Sequence, residues 1–137
     1  MPDLRMRSYQ PELLDAKDIP FEDIRQNMIE LNTINAILGG HAITCKGVDF
    51  FLRRSNIVQP LRICEIGCGG GDNLSAIHRH LSKNGISCEL TGIDINEDCI
   101  KTAKTAYMHL PAKWIVSDYA AVSFTGRKPD IIFNSLF

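Results

Sequence analysis

The sequence has no excess of positive charge. Lys plus Arg number 15 against 16 for Asp plus Glu, a net charge of −1, and no basic run interrupts the balance. A phosphate backbone is held by clustered cations, so the charge pattern argues against nucleic acid as a partner. Long apolar runs are missing too: no stretch approaches the roughly 18 residues of a membrane span. Met1 opens a polar segment without the apolar core of a secretory signal. Paired cysteines are also absent. The five present (Cys45, Cys64, Cys68, Cys88, Cys99) are odd in number and include no C-x-x-C. Reduced thiols in a soluble cytoplasmic protein are therefore expected, with neither a disulfide framework nor a metal site. There is no internal repeat, and 137 residues suit a single core.

Three segments are expected. Residues 1–20 are polar, carry Pro2 and Pro11, and read as an N-terminal arm. Residues 21–60 read as a helical cap. Phe21, Ile24, Met28, Leu31, Ile34 and Leu38 recur at steps of three and four, which lays one apolar stripe along a helix. Pro20 suits its start and Gly39-Gly40 its stop. A second helix is expected from about Ile43 to Arg53, with Val48, Phe51 and Leu52 inward. From residue 61 to 137 strands alternate with helices. Strands are expected at Leu61–Ile66, Cys88–Ile95, Lys113–Ser117 and Asp130–Leu136. Helices are expected at Asp72–Ser82 and from an Asn96 cap to His109. Such alternation implies right-handed crossovers and a parallel α/β sheet.

Glu65-Ile-Gly-Cys-Gly-Gly-Gly71 ends a strand, turns on glycines and opens a helix. Gly67, Gly69 and Gly71 lack a Cβ and tolerate positive φ, so the backbone can approach a ligand closely. The helix start that follows presents unpaired amides. A dinucleotide fingerprint counted from Gly67 would place its third glycine at position 72, where Asp72 stands. A carboxylate there repels a pyrophosphate. Glu65 adds an acid just before the turn. Both suit a ligand carrying ammonium and sulfonium charge.

The segment resembles the first motif of class I S-adenosylmethionine-dependent methyltransferases, a hydrophobic strand ending in an acid followed by alternating glycines. Leu90-Thr-Gly-Ile-Asp94-Ile95 is similar to the family's second strand, which implies that Asp94 takes the ribose hydroxyls and that Ile95 lies beside them. Trp114-Ile-Val-Ser-Asp118 is similar to the third, implying adenine contacts from Ser117, Asp118 or Tyr119. Pro129-Asp-Ile-Ile-Phe-Asn-Ser135 is similar to the fourth, whose end lies beside the transferred methyl and brings in Asn134 and Ser135. The resemblance covers Leu61 to Phe137 and implies a Rossmann-like fold, S-adenosyl-L-methionine as cofactor and a small-molecule methyl acceptor, such as a hydroxylated aromatic or quinone-like compound. The cap also resembles that of bacterial small-molecule enzymes. Within the glycine loop the backbone of Cys68 is expected to matter more than its thiol. His41 is the one histidine expected near the methyl, as a base. His78, His80 and His109 are read as solvated, and the other cysteines and Trp114 as core.

The family sheet runs 3-2-1-4-5-7-6, and this sequence supplies strands for 3-2-1-4. The step from third to fourth strand crosses about 14 Å, within reach of residues 120–128. The last strand, apolar toward both faces, reads as a central strand left at an edge. The expectation is a piece of a longer protein, self-associating through Ile131–Leu136 if it exists alone. Two other readings stand beside methyl transfer: a non-catalytic S-adenosylmethionine-binding module, and a nicotinamide-dependent oxidoreductase, against which Glu65 and Asp72 speak.

Overall fold

The computed structural model describes residues 18–135. The expected N-terminal arm therefore lies almost wholly outside the described residues, as do Leu136 and Phe137. The elements run α1 (Phe21–Leu38), α2 (Gly40–Leu52), β1 (Leu61–Ile66), α3 (Asp72–Lys83), β2 (Cys88–Asp94), α4 (Glu97–Ala106), β3 (Ala112–Val116) and β4 (Ile131–Asn134). The sheet is fully parallel in the order β3-β2-β1-β4, which is the Rossmann-like arrangement expected from the alternation of elements.

Both β-α-β crossovers step in the same direction, so their right-handedness puts α3 and α4 on one face of the sheet. Alternate strand residues meet them there. Leu61, Ile63, Cys88 and Leu90 join Leu74, Ile77 and Leu81 of α3, Ile100 of α4 and Val48 of α2 in the main core. Leu61, Leu74, Ile77 and Leu81 are completely excluded from solvent. Burying side chains of this size stabilises by roughly 1.5–3 kcal/mol each, before entropy is charged against it. Asn96 caps α4 as its sequence position suggests, its side chain accepting from the amides of Asp98 and Cys99.

Several boundaries and burials differ from the sequence reading, each for a physical reason. Gly39 alone stops α1, at φ +81°, and α2 begins at Gly40 rather than Ile43. Gly40 is small because Asn35 leaves no room: a Cβ there would stand 2.8 Å from Asn35 Oδ1. In α1 only Ile24, Met28 and Asn35 are buried, while Phe21, Ile34 and Leu38 are exposed. The helix docks by its N-terminal half, through Ile24 and Met28 against Cys99 of α4. α4 ends at Ala106, short of His109, because residues 107–110 turn ahead of Pro111. β2 ends at Asp94 and β3 at Val116, one residue earlier than expected. Asp130 lies outside β4 because its carboxylate is engaged: Oδ2 accepts from the Arg62 amide at 2.8 Å and from Arg127 at 2.7 Å. Burial works against that charge, but these donors outweigh it and hold the Asp130 carboxyl below its usual range. Cys45 is half-buried rather than core, while Cys64, Cys68, Cys88 and Cys99 are buried. His80 is not simply solvated; its Nε2 lies 2.7 Å from Asp49 Oδ1. Among the described residues β4 pairs only with β1, and Ile132 is 53% exposed.

Candidate cofactor site

At the C-terminal ends of β1, β2 and β4 the glycine loop and α1 enclose a cavity of about 550 Å³. This is where an open parallel sheet places its ligands. The loop is pinned from below. The amides of Gly67 and Cys68 both donate to the Ile93 carbonyl, at 2.8 and 3.0 Å, and the Gly69 amide donates to Asp94 Oδ2 at 2.8 Å. Asp94 Oδ1 accepts from the Asn96 amide at 2.8 Å. The acid at the end of β2 thus fixes the loop after β1 and its own exit while facing the cavity.

Of the residues singled out in the sequence, Glu65, Gly67, Cys68, Gly69, Asp94, Ile95, Asn134 and Ser135 line this cavity. Ser117, Asp118 and Tyr119 do not. The Ser117 amide donates to the Asp94 carbonyl, one strand away from the cavity wall, and Asp118 Oδ1 accepts from the Ala120 amide to cap a 3-10 turn over Tyr119–Ala121. Gly71 does not line it either. Its φ is +82°, and a Cβ on it would fall 2.5 Å from the Trp114 ring, so this glycine makes room for an indole that is half-buried rather than fully in the core. Gly92 is constrained by the same ring at 2.6 Å. His41 turns to the helix start of α3: its Nε2 lies 2.8 Å from Asp72 Oδ2, which also accepts from Asn35 Nδ2 at 3.0 Å. His41 is not among the residues lining the cavity.

Sequence reasoning missed the wall supplied from a distance. Met28 and Leu31 of α1 and Cys99 of α4 form an apolar side with Ile95. Met28 lies over the loop so closely that a Cβ at Gly70 would meet it at 3.1 Å. No local pattern announces that α1 crosses the loop here. Asn73 was also missed, although its place beside Asp72 at the helix start was a signal.

The electrostatics of the wall are one-sided. Glu65, Asp72 and Asp94 line the cavity, and among the described residues no Lys or Arg does. Glu65 is 1% exposed, and its Oε2 has no hydrogen-bond partner among the described residues. A buried, unsatisfied carboxylate oxygen is costly unless a cation or donor meets it. Burial pushes the thiol of Cys99 up to about 12 and that of Cys68 higher still, so neither is a thiolate nucleophile at neutral pH. Among the described residues there is no cluster of metal-ligating side chains, and no helix is long and apolar enough to cross a membrane.

A parallel sheet in this order, carrying a glycine loop faced by acids, defines an S-adenosylmethionine-type Rossmann domain. The family model for the methyltransferase domain matches residues 63–137. The chain belongs to that family, with the class I S-adenosylmethionine-dependent fold. No curated protein sequence matches it. Among solved structures it is similar to the plantazolicin methyltransferase BpumL in complex with SAH, the product of S-adenosylmethionine, at 25% identity and a TM-score of 0.59. That match covers 86% of this chain and 42% of the other. BpumL with a monoazolic desmethylPZN analog and SAH matches at 26% identity and a TM-score of 0.57, covering 81% and 39%. A TehB-like SAM-dependent methyltransferase from Corynebacterium glutamicum shares the fold at 23% identity and a TM-score of 0.51, covering 81% and 54%. This chain spans less than half the length of BpumL. The cofactor of the class is S-adenosyl-L-methionine, and the acid-lined cavity with an unsatisfied Glu65 oxygen fits its cationic end.

Proposed function

We propose that this chain binds S-adenosyl-L-methionine and supplies the donor half of an enzyme that methylates a small-molecule acceptor. The observation that carries the reading is the cavity wall: three acidic side chains, an apolar side and a glycine loop, with no Lys or Arg among the described residues that line it. In this reading Glu65 meets the ammonium group, Asp94 the ribose hydroxyls, and Met28, Ile95 and Cys99 the flat face of the adenine. Ser117, Asp118 and Tyr119 would reach the adenine only from beyond the wall described above.

The cofactor brings a methyl group already activated on a sulfonium, so the protein's work is to align donor and acceptor and exclude water. Alignment of this kind supplies on the order of 7–11 kcal/mol. Asn134 and Ser135, at the end of β4, stand where an acceptor would be oriented. A second, mostly apolar cavity of about 480 Å³ shares these two residues and continues between α2 and β4, past Ile43 and Phe133. It suits an aromatic or otherwise flat apolar acceptor. BpumL is in complex with desmethylPZN analogs and SAH, which supports a small, non-macromolecular acceptor here. His41, held by Asp72, acts on the position of α3 rather than on the acceptor.

Calorimetric titration with S-adenosylmethionine and, separately, with NAD tests the reading. Saturable 1:1 binding of the first and none of the second is expected. Binding of NAD in its place would overturn it.

A further inference from the structure

Glu65 ends β1 with its two carboxyl oxygens in different surroundings. Oε1 accepts from Ser135 Oγ at 2.7 Å and from Asn73 Nδ2 at 3.1 Å. The same Asn73 nitrogen donates to Ser135 Oγ at 2.9 Å, so the three side chains close a ring that joins β1, α3 and β4. Thr44 of α2 lies 3.5 Å from Asn73 Oδ1, while its hydroxyl also reaches the Gly40 carbonyl at 3.2 Å. Oε2 has no partner among the described residues, although the carboxyl lines the cavity.

The charged groups facing this carboxyl are acidic. Asp72 at the start of α3 and Asp94 at the end of β2 both disfavour a further negative charge, and the His41 imidazole of α2 is bonded to Asp72, not to Glu65. Burial is the largest influence and raises the carboxyl; the hydrogen bonds from Ser135 and Asn73 oppose it, and the balance stands at about 8. At neutral pH the Glu65 carboxyl therefore keeps its proton, on the oxygen that has no donor among the described residues.

We propose that Asn73 and Ser135 are positioning residues for cofactor binding: they hold Oε1 so that Oε2 is left for the ligand, and Glu65 releases its proton to solvent as the ligand's ammonium group takes that place, directly or through one water. The inference rests on the cofactor reading above. It adds that the acid is a proton-exchanging contact, set by two neighbours from other elements, rather than a standing negative charge.

The test is titration of the full chain with S-adenosylmethionine at pH 6.5, in two buffers of different ionisation enthalpy. At that pH an α-amino group, with a pKa of about 7.7–8.0, is still ammonium. Close to one proton released per ligand is expected, and a Kd that falls about tenfold per pH unit between pH 5.5 and 7. Glu65→Gln should abolish both effects. Ser135→Ala and Asn73→Ala should move the pH limb upward, weakening binding at pH 6.5 and recovering part of it near pH 8, and Ser135→Thr should restore the wild-type limb. Binding without proton release and with a flat pH profile overturns this inference and leaves the cofactor reading standing. No binding at any pH from 5.5 to 8 overturns both. Should a variant fail to fold, the two-buffer measurement on the unaltered chain decides alone.

Discussion

The carboxylate of Asp94 holds the amide of Gly69 at 2.8 Å, bonding the end of the second strand to the turn that follows the first. The two residues are 25 positions apart; one ends β2 and the other lies in the loop that follows the adjacent parallel strand β1. The acid therefore has two tasks, fixing the loop and facing whatever the loop encloses.

Asp94→Ala leaves the Gly69 and Asn96 amides without their acceptor. Thermal unfolding should show a loss of about 1–3 kcal/mol, and titration a cofactor affinity weaker by tenfold or more. Asp94→Asn keeps an acceptor and should recover most of the stability but less of the affinity.

The crossovers and the glycine turn were legible in the sequence because each follows from local patterns, and the strand order because the family resemblance implied it. An apolar run, a turn of glycines and an amphipathic helix repeat at spacings that permit one sheet. Glu65, Gly67, Gly69 and Asp94 were legible as cavity residues for the same reason, since each ends or follows a strand. The structural reason for Gly71 and the place of Met28 in the wall were not. The first answers to Trp114 and the second to the way α1 docks, and both depend on elements distant in the chain. Asn73 looked like any polar helix start; its partners Glu65 and Ser135 come from two separate strands. The contact of His41 with Asp72 was not legible because the two lie 31 residues apart.

Gly92→Ala and Gly71→Ala should both destabilise, by roughly 1–3 kcal/mol each for a side chain forced against the indole. Gly71→Ala should cost more, because its φ of +82° adds backbone strain. Combining each with Trp114→Leu should relieve most of Gly92→Ala, leaving the 2.8 Å approach of its Cβ to Cys68 Sγ, and less of Gly71→Ala. Equal rescue of both, measured by denaturant unfolding, would show that φ at Gly71 is not a constraint.

Stability should fall as pH rises from about 5 to 8. Glu65 stands near 8 when folded and at its ordinary lower value when unfolded, so in that window the folded state holds the extra proton. The stabilisation is complete below the unfolded value and is lost as pH passes through the folded one, at up to about 1.4 kcal/mol per pH unit. Calorimetric unfolding of the ligand-free chain should show the decline, and Glu65→Gln should flatten it.

Asp72 is the meeting point of α1, α2 and α3 through Asn35 and His41. Removing either donor, in Asn35→Ala or His41→Ala, should cost about 1–3 kcal/mol, because both lie in partly buried surroundings. Cofactor affinity should fall by several-fold, as α1 loses its tether beside the loop. A general base would behave differently: loss of turnover with binding and stability intact would assign His41 to the chemistry instead.

Trp114 is the sole tryptophan of the chain, and its ring lies against Gly71 at the end of the glycine loop. The indole is therefore a built-in optical reporter. Its emission, read without any label, should register small displacements of the loop as the site fills, and stopped-flow mixing would time them.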